Sequence, residues 1–268
     1  DTTFGLYVYD VTDPLDPQYL TNLHYSGQGA MEILGDRLYA GVFPGLAIFD
    51  ISKPADPVEI STVNTGWESG GLAVSGDLVY QVIRSPGAVD IVDISNPERP
   101  PELGELDLGG WPYHVAMSPP YAYVASRYFG LSVVDASDPG AMLDLGFVPG
   151  VEYARQTIVD GDLAYVAGEY HGLYVLDLEN PAMPQVLSLQ SLGGTTGCIA
   201  NQGNFVYAAN GNGLRVIDVS DPTDPDVVGF LDTAWSAHHL AVHGNYVLLA
   251  TVLELLIVDV GDPADPQV

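Results

Sequence analysis

Aromatic, basic and acidic side chains that could contact a ligand lie in short loops between apolar runs of the sequence. Tryptophan and arginine recur in these loops, although the chain has only three tryptophans and seven lysines and arginines together. Exposed aromatic rings beside arginine are typical of recognition surfaces, where they supply much of the binding energy. The candidate ligand-binding residues are Trp67, Glu68, Arg84, Trp111, His114, Arg127, Arg155, His171, Trp235 and His238.

Motifs of established catalytic chemistry are missing from the sequence. It contains no GxSxG, HExxH, Walker or EF-hand pattern. His238 and His239 are adjacent on a predicted strand, so their side chains should point to opposite faces and not share a metal. We therefore assign no catalytic residue and no metal ligand. The alternative is a metal-assisted hydrolase or lyase, which would use Glu68, Glu152 and Glu169 with His114 or His171.

A repeated phrase indicates which elements position these loops. Gly45–Asp56 reads GLAIFDISKPAD, and Gly213 begins the phrase GLRVIDVSDPTDP. An aspartate closes each apolar run, and successive aspartates are 40 to 43 residues apart. These aspartates are Asp10, Asp50, Asp93, Asp135, Asp177, Asp218 and Asp259. Seven copies at so regular a period predict a repeat protein.

Each period contains signals for four short antiparallel strands, labelled A to D. A two-residue turn signal such as Gly76-Asp77 separates A from B, C is the repeated phrase, and D follows an Asp-Pro loop. Aspartate accepts hydrogen bonds from the backbone two residues on, and proline presets the turn, so these aspartates should be turn residues. Four antiparallel strands per repeat predict an all-β fold, a β-propeller of four-stranded blades.

The phrases LLIVDV at Leu255–Val260 and GLRVIDVSDPTDP resemble the LVIVD repeat family of bacterial and archaeal proteins. The resemblance covers essentially the whole chain, because the phrases recur in phase. It implies a β-propeller, often within secreted or cell-surface proteins, with no catalytic residues common to the family. We therefore expect an extracellular or cell-surface location.

The sequence is compatible with either seven or six blades, since strand C occurs seven times and strand A six times. We expect residues 1–268 to form a single propeller domain of repeats of about 41 residues, with both ends inside a repeat. Seven blades, with an incomplete terminal blade, are favoured. The alternative is six blades, with residues 18–25 pairing with the last blade.

Blade geometry sorts the candidate residues onto one rim. In a propeller the D–A and B–C connections open on one rim, and the A–B and C–D turns open on the other. This rule places all three tryptophans and three of the six arginines on the first rim. We predict that the rim binds the ligand at the mouth of the central channel. The alternative is that these side chains only plug the channel and pack between blades.

The charge of the chain limits its partners. A formal net charge of −28 repels nucleic acid and anionic membrane surfaces, and no apolar run is long enough to insert into a membrane. Cys198 is the only cysteine, which excludes an intrachain disulfide.

We assign no cofactor; Ca²⁺ is the candidate if the acidic groups bind a cation. The sequence predicts a non-enzymatic binding scaffold for a protein, glycan or small-molecule ligand, with a purely architectural role left open.

Overall fold

The computed structural model describes residues 5–13, 16–24, 29–66 and 69–268. The first sheet is two-stranded and pairs β1 (Leu6–Asp10) antiparallel with β2 (Gln18–Leu23). Six further sheets follow in chain order, five of them four-stranded and the last three-stranded. Within the described ranges, no helix is long and apolar enough to cross a membrane.

The six further sheets are named blades 1 to 6. Blade 1 contains β3 (Met31–Leu34), β4 (Arg37–Val42), β5 (Gly45–Asp50) and β6 (Val58–Asn64). Blade 2 contains β7 (Ser69–Ser75), β8 (Leu78–Ile83), β9 (Ala88–Asp93) and β10 (Glu102–Asp107). Blade 3 contains β11 (His114–Ser118), β12 (Tyr121–Ala125), β13 (Leu131–Asp135) and β14 (Leu143–Phe147). Blade 4 contains β15 (Ala154–Asp160), β16 (Leu163–Gly168), β17 (Gly172–Asp177) and β18 (Gln185–Gln190). Blade 5 contains β19 (Thr196–Gln202), β20 (Phe205–Asn210), β21 (Gly213–Asp218) and β22 (Asp226–Asp232). Blade 6 contains β23 (Ala237–His243), β24 (Tyr246–Thr251) and β25 (Leu255–Asp259).

Strands that are consecutive in the chain are neighbours in every blade, in the predicted order A, B, C, D in blades 1 to 5 and A, B, C in blade 6. This order is that of propeller blades, in which each strand pairs with the next through a short turn. The prediction of an all-β propeller with four-stranded antiparallel blades is therefore confirmed. Six successive blades lie within the described residues, and β1 with β2 forms a separate two-stranded sheet.

The chain divides into two compact units, each with its own apolar core. Unit 1 comprises residues 1–122 and 134–144, and unit 2 comprises residues 123–133 and 145–268. In unit 1, Tyr39 and Ile48 of blade 1 pack with Val79 and Val92 of blade 2. In unit 2, strands B and C of blade 4 pack against blade 5, and blade 5 packs against blade 6. Strands B and C of blade 4 are buried along most of their length because both of their faces meet apolar neighbours.

In blades 1, 4 and 5 strand C begins with a glycine, because a side chain at that position would overlap strand D. Gly172 and Gly213 have φ of +109° and +131°, which side chains with a Cβ rarely adopt. A Cβ on Gly172 would lie 2.1 Å from the carbonyl oxygen of Gln190, and one on Gly213 would lie 2.1 Å from that of Leu231. In these blades the glycine is therefore a requirement of the close approach between strands C and D.

The aspartate that ends strand C stabilises the turn after it. In all seven copies its Oδ1 accepts a hydrogen bond of 2.7–2.9 Å from the backbone N–H two residues on. At Asp50 the hydrogen bonds from Ser52 hold the pKa of the carboxyl group below its ordinary value. The predicted turn role of these aspartates is confirmed.

A β-bulge recurs where strand D pairs with strand C. One residue of strand D is extra in each of five pairs, and these residues are Leu20, Ile60, Leu103, Leu187 and Val228. The extra residue breaks the alternation of the strand, so that residues three apart lie on one face. Two hydrogen bonds show this arrangement: Thr62 donates to Glu59 at 2.8 Å, and Tyr19 donates to Asn22 at 3.2 Å.

Candidate functional site

The ten predicted ligand-binding residues are distributed over both units of the chain. Trp67 and Glu68 lie outside the described residues. Arg84, Trp111 and His114 belong to unit 1. The members in unit 2 are Arg127, Arg155, His171, Trp235 and His238.

The three candidates in unit 1 have different environments. The Arg84 guanidinium lies over the Tyr113 ring, 5.0 Å from its centroid, and its Nε is buried. The Trp111 side chain is exposed. His114 opens β11, and its Nδ1 is buried with no hydrogen-bond partner among the described residues. Burial lowers the pKa of His114 to about 4, so its ring is neutral at pH 7.

His114 should make folding stability sensitive to acid. Its folded pKa lies below the ordinary value of 6.5, so the unfolded chain binds the proton more tightly and stability falls as the pH drops from 6.5 towards 4. Between pH 7 and pH 4.5 this residue alone should lower the free energy of unfolding by roughly 2 kcal/mol. Urea unfolding of wild type and His114→Gln at both pH values checks this. Equal losses in the two proteins would contradict it.

An ion-pair network around Glu169 organises the candidates in unit 2. Glu169 is buried, and its carboxylate accepts two hydrogen bonds from Arg127, at 2.9 Å from Nε and 3.0 Å from Nη2. Nη1 of Arg155 lies 3.6 Å from the same carboxylate. A two-point contact of this kind holds both planar groups in one orientation. Two of the predicted residues, Arg127 and Arg155, are therefore brought together by Glu169.

Backbone geometry places Arg127 and Glu169 at equivalent points of adjacent blades. Both lie in B–C hairpins, and they are 42 residues apart, one repeat period. Arg127 has a φ of +45°, and its N–H donates to the carbonyl oxygen of Ala154 at 2.7 Å. Arg155 is the bulged residue at the start of strand A. The ion pairs of Glu169 with Arg127 and Arg155 thus involve two irregular backbone positions, the positive φ of Arg127 and the bulge at Arg155. Irregular backbone of this kind is typical of functional sites.

Tyrosines surround this network and form an aromatic cluster, defined as Tyr128, Tyr153, Tyr170 and His171. Tyr153 meets Tyr128 and Tyr170 edge-on, with ring centroids 5.4 and 5.7 Å apart. Its ring also lies 5.5 Å from that of His171. Tyr153 has a φ of +54°. Tyr128 and Tyr170 are 57% and 61% exposed, so their outer faces are open to solvent.

Charged groups border the aromatic cluster on two sides. The Arg127 guanidinium lies 4.6 Å from the centroid of the Tyr128 ring, a cation–π contact. Nε2 of His171 lies 3.8 Å from Oε2 of Glu152, whose side chain is exposed. Tyr174 supports this side, since its hydroxyl accepts a hydrogen bond of 3.3 Å from the Glu152 N–H.

Of the carboxylates in the alternative catalytic set, Glu68 lies outside the described residues, and the two described ones have different partners. Glu169 is already paired with two arginines, and Glu152 faces His171. Among the residues that the structure describes, the three carboxylates close enough for one ion are those of Asp90, Glu102 and Glu105 instead.

Trp235 and His238 are exposed residues near the start of β23. The backbone oxygen of Trp235 accepts a hydrogen bond of 2.6 Å from the Thr233 hydroxyl. His238 is the bulged residue of its strand A, the position that Arg155 occupies in blade 4. The repeat therefore presents a different side chain at the same bulge in different blades.

Three members of the aromatic cluster, Tyr128, Tyr153 and Tyr170, were missing from the predicted ligand-binding set. A signal for two of them exists in the sequence: Tyr128 and Tyr170 follow Arg127 and Glu169 directly and share their 42-residue spacing.

The aromatic cluster together with Arg127 presents two exposed rings, a cation and hydrogen-bonding groups on one surface. Such a surface can stack against a flat or sugar-like group and pair with an anion.

Several solved structures share this fold. The periplasmic gluconolactonase of Pseudomonas aeruginosa is 17% identical, with a TM-score of 0.79 over 95% of this chain and 91% of that one. A protein from Lactobacillus plantarum is 16% identical, with a TM-score of 0.78 over 96% and 90%. A functionally unknown protein from Desulfotomaculum acetoxidans is 14% identical, with a TM-score of 0.78 over 93% and 87%. At such identities the likeness shows the fold alone.

The family assignment comes from the sequence repeats. No curated protein matches the chain. The LVIVD repeat matches six times, over residues 30–65, 68–107, 109–146, 152–188, 193–233 and 235–268. These segments cover most of the sequence and coincide with the six blades. The chain belongs to the LVIVD repeat family.

Proposed function

We propose that this propeller is a non-enzymatic binding module whose main contact surface is the aromatic cluster with Arg127. The observation that carries the proposal is the exposure of Tyr128 and Tyr170, at 57% and 61%, on a backbone held by the Glu169 ion pairs. Aromatic residues and arginine dominate binding energies at such surfaces, and pre-ordered side chains lose little entropy on binding.

The residues of this surface support a ligand that carries hydrogen-bonding or anionic groups. The chain as a whole is strongly acidic, yet two of its arginines, Arg127 and Arg155, lie together at Glu169, and Arg127 lies over the Tyr128 ring. The exposed tyrosine faces suit a sugar ring or a flat organic group. We propose a glycan as the ligand and an extracellular or cell-surface location for the module.

We further propose that β1 and β2 are strands C and D of a seventh blade. Their pairing has the same bulge as strands C and D of blades 1, 2, 4 and 5, and Asp10 makes the same turn as the later aspartates. Leu6 and Leu23 pack against the core of blade 1. These features support the seven-bladed form of the predicted single domain.

Substitution of the two exposed tyrosines tests the binding function. Tyr128→Ala with Tyr170→Ala should weaken binding at least tenfold, a change of about 1.4 kcal/mol, because the stacking faces are removed. The probe is an array of neutral and uronic-acid-bearing oligosaccharides, with mass spectrometry of the bound sugar after incubation.

Phe230→Ala is the matched control, since Phe230 is an exposed aromatic of the same unit outside the cluster. It should bind like wild type. Equal binding by the double-tyrosine variant would rule out the proposed surface. Chemical conversion of the bound sugar would rule out a non-enzymatic module.

A further inference from the structure

A row of polar side chains crosses blade 2. Gln81 of β8 lies opposite Asp90 of β9, and Asp90 lies opposite Glu105 of β10. The corresponding rows are Ala40–Ala47–Thr62 in blade 1, Val166–Tyr174–Leu189 in blade 4 and Ala208–Arg215–Phe230 in blade 5. The repeat itself therefore does not require an acid or an amide in this row.

The bulge in β10 adds a second glutamate to the same face. Leu103 is the extra residue, so Glu102 lies opposite Val92, two residues along β9 from Asp90. Side chains two apart on a strand share a face. One carboxylate oxygen from each of Asp90, Glu102 and Glu105 lies within 4.8 Å of the other two.

Two buried acceptors at the base of this cluster have no donor. Gln81 and Asp90 are 0% and 1% exposed, and Nε2 of Gln81 donates to Oδ2 of Asp90 at 3.3 Å. Oε1 of Gln81 and Oδ1 of Asp90 have no hydrogen-bond partner among the described residues. Buried polar atoms without a partner are costly, and a bound cation can satisfy buried oxygen acceptors that reach it.

Electrostatic repulsion acts within the cluster. Burial, together with the charges of Glu102 and Glu105, raises the pKa of Asp90 to about 7. The hydrogen bond from Gln81 acts in the opposite direction and lowers this pKa. A bound cation would remove the repulsion among the three carboxylates.

We propose that Asp90, Glu102 and Glu105, with the side-chain carbonyl oxygen of Gln81, bind one Ca²⁺ ion in blade 2. A half-turn of the Gln81 amide exchanges its oxygen and nitrogen and brings the unpartnered oxygen to the Asp90 side. This site lies in unit 1 and is independent of the binding function proposed for the aromatic cluster.

The donor set and its spacing fit calcium. All four groups offer oxygen, which Ca²⁺ and Mg²⁺ prefer, whereas Zn²⁺ is held mainly by sulfur and nitrogen. Ca²⁺ binds oxygen at 2.3–2.6 Å, so ligands around one ion lie up to about 5 Å apart. The three carboxylate oxygens meet this limit, since all lie within 4.8 Å of one another. Glu102 and Glu105 are exposed above the buried pair and can adjust to the ion. Ca²⁺ accepts flexible coordination whereas Mg²⁺ demands a near-ideal octahedron, so a site with two exposed, adjustable glutamates favours Ca²⁺.

Calcium titration of the chelator-treated full chain tests the proposal. Calorimetry should detect one Ca²⁺ site that binds at least tenfold more tightly than Mg²⁺. At a hundredfold excess over its Kd, Ca²⁺ should raise the Tm by about 5 °C relative to NaCl of equal ionic strength. Asp90→Asn should lose both the site and the Tm increase.

Glu98→Gln is the matched control, because Glu98 is an exposed acid in the C–D loop of the same blade. It should bind Ca²⁺ as wild type does. A second variant, Gln81→Leu with Asp90→Leu, reproduces the Leu249–Leu256 pair of blade 6 and should fold without any calcium dependence. The proposal fails if wild type shows no calcium-specific Tm increase. It also fails if Asp90→Asn and Glu98→Gln retain equal increases, which would indicate general screening of the acidic surface.

Discussion

Gly213→Ala is expected to lower the free energy of unfolding by roughly 3 to 5 kcal/mol, because strain and overlap act together at this position. The φ of +131° is unfavourable for alanine. The new Cβ would also lie 2.1 Å from the Leu231 carbonyl oxygen and 3.0 Å from the Thr233 nitrogen. Both contacts are with backbone, so neither can be relieved by rotating a side chain. Urea unfolding, followed by far-UV circular dichroism, measures the loss.

The same blade contains a control for this substitution. Gly203 has a φ of +59°, and a Cβ there would have no atom within 4 Å. Gly203→Ala should therefore cost only about 1 to 2 kcal/mol, the strain of the left-handed conformation. If the two alanine variants were equally stable, the close approach of strands C and D would not be the reason for the repeated glycine.

Glu169→Ala is expected to destabilise the fold by roughly 3 kcal/mol, since it removes the buried carboxylate that pairs with the partly buried guanidinium groups of Arg127 and Arg155. The side chain of Glu169 is 3% exposed and those of the two arginines 21% and 35%. The B–C hairpin that carries Tyr128 should loosen as well, because Arg127 anchors it. Urea unfolding gives the stability change, and hydrogen exchange of the hairpin amides reports the loosening.

Two further variants separate the buried network from a surface ion pair. Arg127→Met with Glu169→Met removes both charges and should be less destabilising than the sum of the single changes. Glu152→Gln removes the exposed carboxylate near His171 and should change stability by less than about 1 kcal/mol. Additive losses at Arg127 and Glu169 would show that the two side chains do not stabilise each other.

The repeat made the fold predictable. Period, turn glycine and strand-closing aspartate are local signals, and each has a local cause in the structure: a positive φ, a close approach, or a hydrogen bond to the next turn. The strand order A to D follows from these signals, because short turns leave antiparallel neighbours as the simplest pairing. Blade-level structure could therefore be predicted from the sequence.

The site was less predictable because it depends on irregular backbone. Arg127 and Tyr153 have positive φ, which no residue type at those positions indicates. The burial that makes the His114 ring neutral is a property of its packing. Glu102 and Glu105 are three apart, so alternation along a regular strand would place them on opposite faces; only the bulge at Leu103 unites them.

The recurring bulge also bears on how a duplicated sequence acquires new chemistry. Every copy that retains it keeps a pair of positions, three residues apart, beside the same point of strand C. These pairs are Tyr19 and Asn22, Glu59 and Thr62, Glu102 and Glu105, Val186 and Leu189, and Val227 and Phe230. The residues that determine folding, the glycine and the closing aspartate, lie elsewhere in the phrase. A mutation at such a pair in one copy leaves the other copies intact, so each blade can be altered independently while its neighbours preserve the framework.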